Sequence, residues 1–438
     1  MKRLLLVSYH YPPSPAVGAV RSSTFAAYLP AHGWDPIVVA TPPGTGATRA
    51  AAAVHEVGEW PHPLKSYERF RARRAARHGS ADDYSAKLIV PFDQCHASQR
   101  RSLKQWLLPL FWLPDREIGW LGPALLRGVR LIRRHGITHL LTTGPPFTCH
   151  LVGLLLKRMT GVRWVADFRD PWSLAHKFPI FRNGVTDAVE SRWIRAVMRA
   201  ADLVLCVTPA MTDEARKDHP DLPPERFATL TSGFDPAEFA AVTWQSPAPL
   251  PIIVSYFGTF YYGRTPEPFL RAVKALLDEG ALAAGEMVVR FVGQVSHADG
   301  RSVADMVRTM GLNSLVSLHP PVSRAEALKR TLESHIVLVL DERHPVQIPL
   351  KLYDALGAGV TVLNIGSQGA VADVLARTGA GIAVHYQRDG EIRDGLRECL
   401  RRARGGRNRS DQPWTDPRMD DFDFRRLTGR LAGHLNEL

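Results

Sequence analysis

The sequence predicts an α/β protein of two doubly wound, Rossmann-like domains facing a central cleft. Three observations carry this. Short apolar runs alternate with amphipathic segments, as in parallel strands joined by crossover helices. The rhythm occurs twice, on either side of a Pro-rich bridge, TWQSPAPLP at 243–251. And 438 residues are too many for one ordinary core. The expected domains are residues 1–240 and 241–410, with a helix in 411–438 packing back on the first.

Residues 2–8 read as a strand, 11–18 as a Pro-rich loop, 20–32 as a helix and 36–40 as the next strand. Residues 43–115 break the rhythm. They are rich in Pro, Gly, Ala and Arg, show no clear strand before 88–90, and read as a long, partly helical insertion. Helix 121–135, strand 138–142, a Gly-Pro-Pro turn, helix 147–159, strand 164–167, helix 185–200 and strand 203–207 restore the alternation. The second half reads strand 252–257, helix 266–278, strand 287–292, helix 303–310, strand 315–318, helix 324–333 and strand 336–340. Helix 350–356, strand 360–364, helix 369–376 and strand 381–384 complete that sheet. A helix over 390–404, a polar loop and a closing helix over 423–435 end the chain. Ligands in such sheets bind outside the carboxyl ends of the strands, so the chemistry is expected in the loops there.

Hydrophobic residues make up 45% and charged residues 22%, a balance that can bury a full core. The net charge of +12 favours anionic partners: nucleic acid, a membrane face or a phosphorylated substrate. Much of it is arginine in local runs such as ERFRARRAARH at 68–78, which a solvated helix face explains as well as a binding surface does. No apolar run is long enough to span a membrane. The opening residues resemble a signal peptide only briefly. Tyr9, His10, Pro12 and Pro13 end the apolar run, so it reads as a strand, and a cytoplasmic location is expected. Cys95, Cys149, Cys206 and Cys399 are scattered with no CxxC pair, and read as buried or free thiols.

The most telling segment is VQIPLKLYDALGAG at 346–359. It follows a buried-strand run, opens a helix at a Pro, sets Lys351 one turn before Asp354, and turns at Gly359 into another strand. This order suits a phosphorylated ligand. Neither half carries GxGxxG after its first strand, and no GKS or GKT P-loop is present, which argues against nicotinamide, flavin and P-loop enzymes. Asp421-Phe-Asp423 is a formal DxD, but no strand precedes it, and no metal site is expected.

Six stretches in order carry a family resemblance: SYHYPPSPAVGAVR at 8–21, TTGPPFTCHLVGLLLKR at 142–158, ADFRDPW at 166–172, TSGFDPAEF at 231–239, YFGTFYYGRTPEPFLRAV at 256–273 and PLKLYDALGAGVTVL at 349–363. With them the chain resembles a GT-B glycosyltransferase, family 4-like, end to end except residues 43 to about 110. The resemblance implies a retaining, metal-independent transfer with no cofactor beyond the donor. The donor would be a UDP- or GDP-linked sugar held by the C-terminal domain. The acceptor, held by the N-terminal domain, would be a small molecule or lipid-linked. A lipid-linked acceptor suits the basic charge and the Phe111-Trp112-Leu113 patch, and implies peripheral contact with the inner membrane face.

Site residues follow from the same resemblance. Relatives carry an Arg and a Lys five apart after the first C-domain strand; those positions are Thr259 and Arg264, flanked by Gly258 and Gly263. Arg264 can grip phosphate in a bidentate manner. Of two Glu eight apart, the one that holds ribose is Asp354, whereas the one that reads the sugar is Val346, with Gln347 the nearest polar neighbour. Lys351 reaches the diphosphate or pairs with Asp354. Gly293 and Val322 lie in loops near the diphosphate and base. Gly18 and Ala19 stand where a Gly-Gly approaches the donor phosphate, with Arg21 at the following helix start. Asp167, Arg169 and Asp170 follow a strand and form either a site or a structural ion-pair cluster. His150 reads as a packed helix residue, and the preceding loop, where relatives place a His, reads Thr142-Thr143-Gly144. The expected catalytic residues are therefore Arg264, Lys351 and Asp170, and the donor contacts Gly18, Gly258, Thr259, Gly293, Val322 and Asp354. Two other classes stay open: a sugar-nucleotide epimerase or hydrolase on the same fold, and a basic nucleic-acid-binding protein. No recognised nucleic-acid motif surrounds the charge clusters, which argues against the latter.

Overall fold

The computed structural model describes residues 1–14, 16–42, 52–61, 113–172, 184–260, 264–341, 345–405 and 412–438. They form two compact units, Met1–Leu230 with Thr428–Leu438, and Thr231–Leu427. The predicted strand at 88–90, the arginine run, Cys95, Phe111, Trp112 and Gly263 lie outside the described residues.

The first unit holds seven parallel strands: β1 (Lys2–Val7), β2 (Trp34–Ala40), β3 (Ala53–Glu56), β4 (His139–Gly144), β5 (Arg163–Phe168), β6 (Leu203–Cys206) and β7 (Phe227–Thr229). Their order is β3-β2-β1-β4-β5-β6-β7. Leu4, Leu5, Leu6 and Val7 are all fully buried, because helices cover both faces of such a sheet and the strand cannot alternate with polar residues. Helices α1 (Val17–Tyr28), α2 (Leu121–His135), α3 (Thr148–Thr160), α4 (Gly184–Ala200) and α5 (Pro209–Asp218) are the described helices between its strands. One expectation is corrected. Residues 43–115 do contain an early strand: β3 extends the sheet edge, with Val54 in register with Val38. Four residues reading AVHE in an Ala- and Arg-rich stretch give too little periodicity to mark it.

Gly153 shows how tightly α3 lies on this sheet. A Cβ there would stand 2.5 Å from Trp164 Cε2 and 2.7 Å from Thr142 Cγ2. Gly153→Ala is expected to cost about 1–3 kcal/mol by overpacking, read as a lowered urea midpoint; an unchanged midpoint would show that the helix can back away freely.

The second unit begins with the short helix α6 (Pro236–Ala240). Its strands are β8 (Ile252–Phe257), β9 (Met287–Val292), the hairpin β10 (His297–Ala298) and β11 (Arg301–Ser302), β12 (Val316–His319), β13 (Ile336–Asp341), β14 (Thr361–Gly366) and β15 (Gly381–His385). The main sheet is parallel in the order β12-β9-β8-β13-β14-β15. Its helices are α7 (Glu267–Asp278), α8 (Val303–Thr309), α9 (Arg324–Leu332), α10 (Leu350–Gly357), α11 (Ala370–Thr378) and α12 (Asp389–Arg404). Two apolar clusters cover its two faces. Ile336, Leu338 and Leu340 point into one with Tyr256 and Phe291; Val337 and Val339 point into the other with Leu352, Tyr353 and Val362. The motif residue Phe234 exchanges backbone hydrogen bonds with the chain's end, donating to Phe422 O at 2.9 Å and accepting from Phe424 N–H at 3.1 Å. The closing helix α13 (Phe424–Glu437) follows.

Cys149, Cys206 and Cys399 are buried and free, and burial pushes each thiol up to about 12. Among the described residues no helix is long and apolar enough to cross a membrane.

Candidate functional site

In each sheet the strand order reverses beside the first strand: between β1 and β4 in the first unit, and between β8 and β13 in the second. At such a point neighbouring crossover loops part to opposite faces, leaving a crevice at the carboxyl ends. In the second unit the β8 end carries Gly258 and Thr259. Gly258 N–H donates to Val292 O at 2.9 Å, and Thr259 O accepts from Tyr256 Oη at 3.0 Å. Gly258 has φ 128° and Gly293, after β9, has φ 133°. A Cβ on Gly293 would stand 2.8 Å from Gly258 C. Both therefore need glycine for their conformation, Gly293 also for close backbone approach, and Gly258 is left exposed.

Lys351 enters this spot from the first turn of α10. Its Nζ lies 3.5 Å from the centre of the Tyr256 ring and 3.4 Å from where a Gly258 Cβ would be. The Nζ atom is buried and makes no hydrogen bond, so it does not pair with Asp354. Arg264 and Asp341, the last residue of β13, are its charged neighbours. Burial lowers the Lys351 ammonium well below its ordinary range, Arg264 adds to this, and Asp341 opposes it. Burial likewise pushes the Asp341 carboxyl up to about 7, against the pull of Arg264 and Lys351. A buried ammonium with no partner is costly. A multiply charged anion over Gly258, where no side chain intervenes, would supply the partner and favour the charged form.

Asp354 lies on the same helix but in a different network. Its Oδ2 accepts from Arg324 Nη1 at 2.6 Å and its Oδ1 from Nη2 at 2.8 Å. Arg324 Nη2 and Nε also donate to Glu238 Oε2, at 2.8 and 3.2 Å. Burial raises the Asp354 carboxyl although Arg324 pulls it down. Burial would lower Arg324, but Asp354 and Glu238 outweigh it and hold the guanidinium charged. Each Asp354 oxygen keeps a second lone pair that can accept a further hydrogen bond. Val322 is half-buried, two residues before Arg324, and Val346 and Gln347 are half-buried ahead of α10.

Gly18 and Asp170 belong to the first unit. A Cβ on Gly18 would stand 2.7 Å from Arg169 Nη2, so this glycine admits the arginine side chain to the start of α1. Arg169 also donates to Pro145 O, and the Asp170 and Asp167 carboxylates act on it electrostatically. Arg21 and Asp167 form a buried bidentate pair, Nε to Oδ2 at 2.9 Å and Nη2 to Oδ1 at 2.7 Å. Thr143 Oγ1 donates to Asp167 Oδ2 at 2.8 Å. Asp167 is thus held in a buried ion pair by Arg21. His150 is fully buried, shares a hydrogen bond of 2.8 Å with Thr142 Oγ1 and stacks on Phe168 at 4.2 Å. Burial lowers its imidazole to about 3 and keeps it neutral. Asp423 of the formal DxD accepts from Arg425 N–H at 2.8 Å at the start of α13, an end-of-helix role.

Among the expected residues, Gly258, Thr259, Arg264, Gly293 and Lys351 thus lie around one strand-end turn, and Asp354 and Val322 lie beside Arg324. Asp341 and Arg324 were missed. The apolar-run criterion ended the strand at Leu340, whereas the ladder continues with Asp341 opposite Gly366. No local spacing announces that Arg324 will meet a carboxylate thirty positions away.

Residues 71–238 match the model of Glycosyltransferase Family 4. The match starts inside the stretch expected to lie outside the resemblance, and corrects that expectation from residue 71 onward. No match was found among curated protein sequences. Solved structures similar along the whole chain include a sucrose-phosphate synthase from Thermosynechococcus elongatus, at TM-score 0.66 and 12% identity, covering 100% of this chain and 99% of that one. HepE of Anabaena in complex with UDP matches at TM-score 0.62 and 12% identity, covering 100% of both chains. The lipopolysaccharide-biosynthesis glycosyltransferase WaaG matches at 0.58 and 14%, covering 98% and 99%. At these identities the likeness establishes the fold, which is GT-B.

Proposed function

We propose that this chain, GT-B in fold and family-4-like over residues 71–238, is a retaining, metal-independent glycosyltransferase that moves a sugar from a UDP- or GDP-linked donor to an acceptor nucleophile. The observation that carries the reading is the Lys351 ammonium, buried without a hydrogen-bond partner over Tyr256 beside Gly258, with Arg264 as its cationic neighbour. It sits where the strand order reverses and where a diphosphate would place its charge. HepE of Anabaena has been solved with UDP and with UDP-glucose, which supports a nucleotide-sugar donor.

Breaking the sugar–phosphate bond leaves negative charge on the diphosphate. Fixed cations at that position stabilise the charge without reorganising. Lys351 and Arg264 supply them, Gly258, Thr259 and Gly293 bring backbone close to the phosphates, and Asp354, oriented by Arg324, holds ribose. Val322 lies near the base. The leaving diphosphate takes the acceptor's proton on the same face of the sugar. Asp170, just past the end of β5 in the first unit, is assigned to the acceptor. The acceptor is a specialised metabolite or a lipid-linked glycan precursor, the latter met through peripheral contact with a membrane face.

A thermal-shift panel of UDP, GDP, ADP and dTDP sugars tests the donor assignment. At least one is expected to raise the melting temperature. At a ligand concentration a hundred times its Kd the gain is about 2.7 kcal/mol, several degrees for a domain of ordinary size. No shift from any of them would overturn the donor site.

A further inference from the structure

Beside the Lys351 turn, four buried polar atoms have no hydrogen-bond partner: Asp341 Oδ1, both amide atoms of Asn364, and Ser367 Oγ. Asp341 is 4% exposed and Asn364 1%. Strand periodicity puts them together. Val337, Val339 and Val362 share one apolar cluster, so Asp341 and Asn364, at the same parity on β13 and β14, face the same side of the sheet. In the ladder Asp341 stands opposite Gly366 and Val339 opposite Asn364. A Cβ on Gly366 would lie 2.7 Å from Asp341 O and 3.2 Å from Asn364 Nδ2, so this glycine lets the two strand ends and the Asn364 amide come together. Ser367 N–H donates to Asp341 O at 3.2 Å, which fixes its hydroxyl at the same strand ends. The loop after β13 is tied alongside: Ala370 N–H donates to Pro345 O at 2.7 Å.

The chemistry of these atoms selects a ligand class. An amide and a hydroxyl both donate and accept, and a carboxylate accepts. A phosphate only accepts, and would be repelled by Asp341 and by the Asn364 carbonyl. Sugar hydroxyls each donate and accept, so they match all three side chains. An apolar ligand would leave every one unpaired, at about 1–3 kcal/mol each. Asp341 also interacts electrostatically with Lys351 and Arg264, so the hydroxyl-matched group adjoins the phosphate-matched one. Val346, at the position where relatives carry a carboxylate, has no polar side-chain atom to share the task.

We infer that Asp341, Asn364 and Ser367 read the hydroxyl groups of the sugar carried by the donor, an assignment that rests on the nucleotide-sugar binding proposed above. Titration calorimetry with UDP, GDP, UDP-glucose, UDP-galactose, GDP-glucose and GDP-mannose tests it in wild type, Asn364→Leu and Ser367→Ala. Wild type is expected to prefer one hexose over its epimer by about tenfold or more, since buried polar groups penalise a misplaced hydroxyl. Both substitutions should flatten that preference while changing affinity for the bare diphosphate by less than about twofold. Retained diphosphate binding also reports that the variants are folded. An unchanged preference, or an equal loss for diphosphate and sugar nucleotide, overturns the inference. Wild type that binds the diphosphate with no hexose preference overturns it while leaving the donor site standing. Wild type that binds neither diphosphate overturns the donor site, and this inference with it.

Discussion

Replacing Lys351 by Met is expected to slow release of nucleoside diphosphate from the donor by about 10²–10³-fold, the loss that follows removal of one preorganised group aimed at developing charge. Met keeps an unbranched stem against Tyr256 and removes the ammonium, so the change isolates charge from packing. The effect should be large for a structural reason. Lys351 Nζ has no hydrogen bond to give up and lies over an exposed glycine, so the ligand would be its main polar partner. It is also buried, where an ion–ion interaction is screened far less than at the surface. Asp341 and Arg264 would remain, and one cation cannot offset both a carboxyl and a leaving diphosphate. Single-turnover rates at saturating donor measure the chemical step apart from binding. A rate close to wild type would remove Lys351 from the mechanism, and with it the observation on which the functional reading depends.

The legibility of this chain divides by the range of the interactions. Strands such as β1 and β13 announce themselves because burial on both faces demands an unbroken apolar run, a purely local signal. The Gly258 and Gly293 turns were also marked by local sequence, since each follows a strand. What stayed hidden depends on pairing across the chain. Asp341 belongs to its strand through the ladder to Gly366, not through its own hydropathy. Whether Lys351 met Asp354 could not be read from their spacing, because the competitor was Arg324, on another helix. Gly18 was expected beside a phosphate. A Cβ there would meet the Arg169 side chain, which arrives from the end of β5. Asn364 looked like the last residue of an apolar strand, and only its buried, unpartnered amide marks it as more than that.

Arg21→Ala is expected to destabilise the first unit by about 3–5 kcal/mol, the cost of leaving a buried carboxylate without its partner. Arg21 and Asp167 side chains are 3% and 1% exposed, so water cannot replace the lost guanidinium. The arginine also donates to Leu230 O at 2.9 Å, and that carbonyl would lose this donor as well. Thr143 would still bond to Asp167 Oδ2, but a single hydroxyl offsets little of a full charge. The pH dependence has a definite sign. Burial would raise the Asp167 carboxyl, but Arg21 outweighs it and holds the group below its ordinary value. A depressed folded-state pKa contributes stability above the unfolded value, near 3.9 for Asp, and loses it as pH falls through the folded value. Wild-type stability from this pair should therefore be complete at neutral pH and decline only below about pH 4. In Arg21→Ala the carboxyl shifts upward, so the variant should regain part of its deficit as acid neutralises Asp167. The gap between the two proteins would then narrow as pH falls. The double variant Arg21→Met, Asp167→Leu should recover much of the loss, because replacing both partners of a buried pair costs far less than orphaning one. Urea titrations of the three proteins between neutral pH and about pH 4 would measure this. A deficit that stays constant with pH, and that the double variant does not relieve, would mean that Arg21 acts through packing rather than through the charge of Asp167.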